Sequence, residues 1–164
     1  MLVTLMTDAS HCQQTGAAGF GFWCVSDRGK LTGGKPLNGK IKDSYEAEAK
    51  GVANSLVIGF RSGIIQQGDT VIIQLDNIAV VFGINGKLKK KRKDVKEVLN
   101  FINNFKIENN LSIECRHVKG HSKKTESRFS ANKHCDRLAK EQMKVARLEL
   151  KNEPTNHTKN NVES

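Results

Sequence analysis

The first residues of the chain form a nearly continuous apolar run over positions 2–7 that ends at Asp8. A strand is continuously apolar when both of its faces are covered, as in the centre of an α/β sheet. Residues 71–75 form a second run of this kind, which ends at Asp76. The chain is therefore expected to fold around a central sheet with helices packed on it.

The other segments alternate between strand and helix periodicity. Alternation at positions 18–25 predicts a strand, and apolar side chains three or four residues apart predict helices elsewhere. The predicted order is strands over 2–7, 18–25 and 30–37 with a bulge at Gly33-Gly34, a helix from Ser44 to a stop at Gly63, a strand over 71–75, a short helix over 79–82, a helix over 95–105, a strand over 111–115, a polar loop over 119–130 and a final helix. We predict one domain over residues 1–150 and a disordered tail over 151–164, where apolar residues are scarce.

The charge of the chain favours a polyanionic partner. Twenty-seven Lys and Arg residues against seventeen Asp and Glu give a formal net charge of +10. Such an excess favours nucleic acid through counterion release, with solubility alone as the alternative explanation. The excess is concentrated in one run, for which the hypothesis is that it grips phosphates and the alternative is a solvated loop: Lys87, Lys89, Lys90, Lys91, Arg92 and Lys93.

The sequence predicts a cytoplasmic protein that does not enter a membrane. No apolar run approaches the roughly 18 residues of a membrane span, and residues 1–6 lack the basic flank of a signal peptide. We expect the four cysteines to be reduced and buried, because they form no CxxC pair. A zinc site built from His117, His121, His134 and Cys135 is the less favoured alternative, since paired ligand knuckles are missing.

Two carboxylates are predicted at the ends of the apolar strands. Asp8 and Asp76 each follow their strand directly, where ligands bind in an α/β sheet. If these strands are parallel neighbours, the carboxylates lie close together, which is costly without a cation. The alternative for Asp76 alone is that it caps the next helix.

Two more carboxylates are predicted near helix starts. Glu48 lies in line with the buried stripe of the first helix, whereas Glu46 points about 200° around the axis and is interpreted as a solvated charge. Asp136 is expected to open the final helix, where it could equally well serve only to favour the helix dipole. Four carboxylates can chelate a hard cation such as Mg²⁺.

The motifs of the chain resemble type 1 ribonuclease H over about residues 1–147. The segments that carry the resemblance follow one another in the family's order: Thr7-Asp8-Ala9-Ser10, Glu46-Ala47-Glu48-Ala49, Leu75-Asp76-Asn77, His117-Val118-Lys119-Gly120-His121 and Asn132-Lys133-His134-Cys135-Asp136-Arg137-Leu138-Ala139. The resemblance implies the ribonuclease H-like fold, a five-stranded mixed sheet whose first three strands are antiparallel. Because the chain shows no separate hybrid-binding domain or fused polymerase, we expect a stand-alone catalytic module, with a monomer as the default.

The resemblance implies an endonuclease that hydrolyses the RNA strand of RNA/DNA hybrids and leaves 5′-phosphate and 3′-hydroxyl ends. Asp8, Glu48, Asp76 and Asp136 would hold two Mg²⁺ ions roughly 3.5–4 Å apart, with Mn²⁺ as the alternative ion. His121 would assist water activation or product departure. The residues implied to contact nucleic acid, besides the basic run, are Ser10, Asn77, Lys119 and Asn132.

Specificity for a hybrid is where the chain departs from the family. Bacterial members often carry an Asn pair before the catalytic glutamate and a Gln two residues past the third ligand, where this chain has Ser44-Tyr45 and Ile78. Those side chains contact the minor groove, where 2′-hydroxyls are read. Two alternatives therefore stay open: a non-catalytic nucleic-acid-binding relative, and a nuclease of the same superfamily that cuts DNA.

Overall fold

The computed structural model describes residues 1–118 and 127–162, apart from the side chains of residues 127–129 and 153–162. Its elements alternate in the predicted order. They are β1 (Leu2–His11), β2 (Ala18–Ser26), β3 (Gly29–Pro36), α1 (Ser44–Ser62), β4 (Thr70–Leu75), α2 (Ile78–Ile84), α3 (Lys93–Glu108), β5 (Ser112–His117) and α4 (Ser127–Val162).

The five strands form one mixed sheet in the order β3-β2-β1-β4-β5. The β1–β2 and β2–β3 pairs are antiparallel, whereas β1–β4 and β4–β5 are parallel. The predicted mixed sheet with three antiparallel first strands is confirmed. Because β1 lies at the centre, its side chains are covered on both faces, which explains the apolar run at the start of the chain.

Helices cover the two faces of the sheet separately. Val3 and Leu5 of β1 are fully buried in the large core that also contains the apolar side of α1. Met6 points the other way and packs with Ala131 and Cys135 of α4. Full burial of each large apolar side chain stabilises the fold by about 1.5–3 kcal/mol.

The glycines of β2 and β3 allow α4 to lie close to the sheet. A Cβ atom on Gly19 would lie 2.4 Å from backbone atoms of α4, and one on Gly21 would lie 2.5 Å from the carbonyl oxygen of Cys135. The predicted bulge at Gly33-Gly34 is wrong, because the β2–β3 register continues unbroken through both residues. Gly34 is instead a site of close approach: a Cβ there would lie 2.5 Å from the carbonyl oxygen of Phe20.

Two boundaries next to the predicted carboxylates differ from the sequence prediction. β1 continues past Asp8 to His11, because its backbone keeps pairing with β2 after the apolar run ends. α4 begins at Ser127, within the predicted loop, because its apolar stripe starts at Ala131, one turn before Cys135. Asp136 therefore lies about two and a half turns into the helix and does not open it.

The C-terminal part of α4 extends beyond the predicted domain boundary. The helix continues to Val162, whereas the sequence predicts a disordered tail from residue 151. Leu150 still packs on the cluster of Cys12, Ala17 and Ala146, and the next two side chains are exposed. Among the described residues, no helix is both long and apolar enough to span a membrane.

Candidate active site

Asp8 lies just beyond the point where the parallel pairing of β1 with β4 ends. The last residue pair in that ladder is Met6 with Gln74, and Asp76 follows directly after β4. On the other side, Asp8 pairs with Gly21 of β2. The two aspartates therefore share one edge of the sheet, as predicted from the two apolar runs.

Glu48 approaches Asp8 from the buried side of α1. The backbone N–H of Ala9 donates to Asp8 Oδ1 at 2.9 Å and to Glu48 Oε1 at 3.3 Å. Glu48 is only 8% exposed, and its Oε2 atom is buried without a hydrogen-bond partner among the described residues. Burial, followed by the charge of Asp8, raises the pKa of Glu48 well above its usual range.

Asp136 belongs to α4, which covers the face of the sheet opposite to α1, and its charge affects the pKa of Asp8. Burial and then the charge of Asp136 raise the pKa of Asp8 to about 6. Asp136 itself is half exposed, and its Oδ2 lies 3.0 Å from Lys140 Nζ. The position of Asp136 follows from the packing of the preceding residue, whose thiol donates to the carbonyl oxygen of Met6.

Asp76 is the most exposed of the four carboxylates, at 54%. His117, the last residue of β5, places its Nε2 3.4 Å from Asp76 Oδ1 and 3.0 Å from the Asp76 carbonyl oxygen. The sequence predicts a role for His117 only in the less favoured zinc site. Its contact with Asp76 depends on the parallel register of β4 and β5, which pairs Leu75 with His117.

The four carboxylates gather negative charge that a divalent cation would offset. Their donor chemistry is the all-oxygen set that Mg²⁺ prefers. Glu48 Oε2 is a buried acceptor with no donor, which fits a cation-binding role. Across the described part of the chain, however, no three His, Cys, Asp or Glu side chains are arranged closely enough to hold an ion. The residues fit such a site in chemistry, and binding would require their side chains to converge.

The other glutamate at the start of α1 has a structural role. Glu46 is only 6% exposed, so the prediction that it is a solvated charge is wrong. Its carboxylate accepts from the backbone N–H of Lys42 at 2.8 Å and contacts Lys50 Nζ at 2.7 Å. Asp43 caps the helix by accepting from the N–H of Glu46. These bonds fix the helical turn that precedes Glu48.

The basic run lies between α2 and α3. The side chains of Lys87, Lys89, Lys90, Lys91 and Lys93 are exposed. Arg92 differs from them: its Nη2 lies 2.8 Å from Asp43 Oδ1 and its Nε 2.7 Å from Asp94 Oδ1. It also lies over the ring of Tyr45, 5.3 Å from the centroid. Arg92 thus ties the basic run to the N-terminus of α1.

The other residues predicted to contact nucleic acid lie in different parts of the structure. Asn77 caps α2 by accepting from the N–H of Val80, while Ser10 and Asn132 are partly buried on β1 and α4. Lys119 and His121 lie outside the described residues. The four cysteines are free and buried, as predicted.

The family comparison and the comparison with solved structures both relate this chain to RNase H. The model of the RNase H family matches residues 2–144. No curated protein matches the chain. Among solved structures, RNase H1 from the halophilic archaeon Halobacterium salinarum NRC-1 superposes with a TM-score of 0.70 at 19% identity, covering 89% of this chain and all of that one.

Two further structures share the fold. The N-terminal RNase H domain of Rv2228c from Mycobacterium tuberculosis gives a TM-score of 0.68 at 20% identity, covering 90% of this chain and 97% of that one. LC11-RNase H1 in complex with RNA/DNA hybrid also gives 0.68, at 19% identity, with 88% and 98% covered.

Proposed function

The chain belongs to the RNase H family, and from this premise we propose that it hydrolyses the RNA strand of RNA/DNA hybrids. The proposed products carry 5′-phosphate and 3′-hydroxyl ends. The observation that carries the proposal is the arrangement of Asp8 and Glu48 around the single N–H of Ala9. Asp136 and Asp76 lie close enough for their charges to raise the pKa values of Asp8 and Glu48, respectively.

The proposed reaction uses divalent ions held by these four carboxylates. When bound, two such ions would supply the positive charge that activates an attacking water and stabilises the leaving oxygen. We propose Mg²⁺ as the ion, with Mn²⁺ as the alternative. Two observations support this role, because a bound cation would offset both. The buried Oε2 of Glu48 has no hydrogen-bond partner among the described residues, and burial together with the charge of Asp136 raises the pKa of Asp8.

The chain's own residues orient the carboxylates. Ala9 N–H holds one oxygen each of Asp8 and Glu48, which leaves their other oxygens for ligation. His117 lies against Asp76 and restricts its side chain. Lys140 pairs with Asp136 and would have to release it when a cation binds. His121 is proposed to assist proton movement in this reaction, because a histidine titrates near neutral pH.

Substrate binding is proposed to rest on phosphate contacts from the exposed lysines of the basic run. LC11-RNase H1 was solved with an RNA/DNA hybrid, and we propose that this chain takes the same class of substrate. Ser10, Asn77, Lys119 and Asn132 are proposed as further contacts. Arg92 contributes to this surface indirectly, since its guanidinium already pairs with Asp43 and Asp94.

The test compares substrates for the wild type and an Asp76→Asn variant. RNA/DNA hybrid, double-stranded RNA and double-stranded DNA are each incubated with Mg²⁺, Mn²⁺ or EDTA. We expect cleavage of the hybrid alone, dependent on the divalent ion. The half-exposed Asp76 makes the variant suitable, because the substitution removes a ligand charge without opening the core. Glu97→Gln, an exposed change on α3, serves as the control and should keep full activity.

Three results would count against the proposal. Hybrid cleavage that persists in EDTA or in Asp76→Asn would refute the role of the carboxylates. Cleavage of duplex DNA in preference to the hybrid would instead favour a DNA-cutting nuclease, and binding without any cleavage would favour the non-catalytic relative.

A further inference from the structure

Basic side chains recur along one side of α4. Their spacing of three or four residues keeps them within about 40° of a common line along the helix, at 100° per residue. In that sector every residue from 133 to 151 is basic. We refer to this set as the α4 basic stripe: Lys133, Arg137, Lys140, Lys144, Arg147 and Lys151.

The stripe faces away from the sheet. The side chains that α4 buries, Cys135, Ala139 and Ala146, lie on the opposite side of the helix. Arg137 and Lys140 are 62% and 61% exposed. The other members are exposed as well, apart from the partly buried Arg147.

The stripe keeps an excess of positive charge. Lys140 pairs with Asp136, and Arg137 lies 4.0 Å from Glu141, both beside the stripe. Lys144 and Lys151 have no ion pair among the side chains that the structure describes. Six cations in a line with so few neighbouring carboxylates repel one another, and a polyanion would relieve that repulsion.

The stripe begins next to the carboxylates and runs away from them. Lys133 and Arg137 flank Asp136 in sequence, and Lys151 lies 18 residues beyond Lys133. A rise of 1.5 Å per residue makes the stripe about 27 Å long, which corresponds to about eight base pairs of duplex. The basic run at 87–93 is a separate surface, because it connects α2 to the start of α3. The helix α3 packs on α1, on the face of the sheet opposite to α4.

We propose that the α4 basic stripe contacts the phosphate backbone of nucleic acid that extends beyond the carboxylate cluster. The inference rests on the proposed function only in taking nucleic acid as the substrate. Nucleic acid fits better than a protein partner, because the stripe contains no apolar residue that could form the core of a protein interface, where lysine is depleted. Lysines act on phosphates as point charges and do not require a fixed geometry.

The test neutralises the part of the stripe farthest from the carboxylates. The stripe variant is Lys144→Gln with Lys151→Gln. The control is Lys35→Gln with Lys40→Gln, which removes the same charge from exposed positions on and after β3. Lys35 follows Gly34, which faces α4, so its side chain points to the other face of the sheet. Circular dichroism checks that both variants fold like the wild type.

Binding is measured by fluorescence anisotropy in EDTA as a function of salt, with RNA/DNA hybrids of about 8 and about 24 base pairs. For the long hybrid, we expect the stripe variant to lower the slope of log K against log salt by about 2, at roughly 0.9 per phosphate contact. We expect no change for the short hybrid in the stripe variant, and none for either hybrid in the control.

An unchanged slope for the long hybrid in the stripe variant would overturn the inference. An equal drop in the control would overturn it as well, since net charge alone would then explain the effect. A separate cleavage assay with Mg²⁺ decides the proposed function. Wild-type chain that fails to cleave the hybrid there refutes that function, while the salt slopes still decide the role of the stripe.

Discussion

Replacing Asp8 with asparagine should stabilise the metal-free protein at alkaline pH. Asp8 is a partly buried carboxyl near Asp136, and these two causes raise its pKa from 3.8 to about 6. The folded protein therefore holds the proton more tightly than the unfolded chain. The contribution of Asp8 to stability is lost as the pH rises from about 4 to 6 and stays lost above that window.

The size of the effect follows from the two pKa values. A difference between 3.8 and about 6 corresponds to roughly 3 kcal/mol, since one pKa unit is worth 1.36 kcal/mol. The asparagine side chain would carry no charge, and its oxygen could still accept from Ala9 N–H. We therefore expect the Asp8→Asn variant to be more stable than the wild type by about 1–3 kcal/mol at pH 8, with the difference vanishing near pH 4.

The measurement is urea unfolding of both proteins in EDTA at pH 4.5 and pH 8. Glu97→Gln is the matched control, because it removes a carboxylate from an exposed helix surface and should change stability by less than about 0.5 kcal/mol. Adding Mg²⁺ at pH 8 should stabilise the wild type and leave the Asp8→Asn variant nearly unchanged. A variant no more stable than the wild type at pH 8, or equally stabilised at both pH values, would refute the electrostatic account of the site.

Three further predictions concern the scaffold. Gly21→Ala should destabilise the protein by about 1–3 kcal/mol and reduce Mg²⁺ affinity measured by calorimetry, because its Cβ would displace α4 at Cys135, next to Asp136. Gly19→Ala, with an equal steric conflict about two turns away, should cost similar stability but leave Mg²⁺ affinity close to the wild type; equal losses in both would contradict this. Asp69→Asn should cost about 2–4 kcal/mol in urea unfolding at pH 7, because Asp69 is fully buried and accepts from Arg28 Nη2 at 2.9 Å. Arg28 holds the pKa of Asp69 well below its usual range, so this contribution should begin to decline as the pH falls below about 4 and be lost only below the lowered pKa of the folded state. A difference that shows no decline in acid would exclude the ion pair as its source.

The shared sheet edge of Asp8 and Asp76 could be predicted because it depends on buried strands. Two apolar runs, each followed by an aspartate, indicate two covered strands whose ends meet at one edge. The end of β1 could not be predicted in the same way: residues 9–11 are not an apolar run, and they stay in the strand through backbone pairing with β2. Backbone hydrogen bonds leave no periodic signal in the side chains.

Polar contacts between residues far apart in the chain also could not be predicted from the sequence. The pairing of Arg92 with Asp43 joins residues 49 positions apart, and nothing in the local sequence of either residue indicates it. Glu46 was different, because Asp43-x-x-Glu46 is the spacing of a capping box and could have indicated a structural role. The Gly33-Gly34 pair shows the reverse case: glycine suggested a local bulge, whereas the cause is a helix packed against the strand.

The most direct test of the central claim is to identify the cut strand and the ends it leaves. A hybrid is incubated with wild type or Glu48→Gln in Mg²⁺, and the fragments are analysed by mass spectrometry. Glu48 is the most buried of the four carboxylates, and its buried Oε2 has no hydrogen-bond partner among the residues that the structure describes. We predict RNA fragments with 5′-phosphate and 3′-hydroxyl ends, an intact DNA strand, and a loss of at least about 100-fold in rate for the variant. Cleaved DNA, other ends, or wild-type rates in Glu48→Gln would contradict the assignment of the carboxylate cluster as the hydrolytic site.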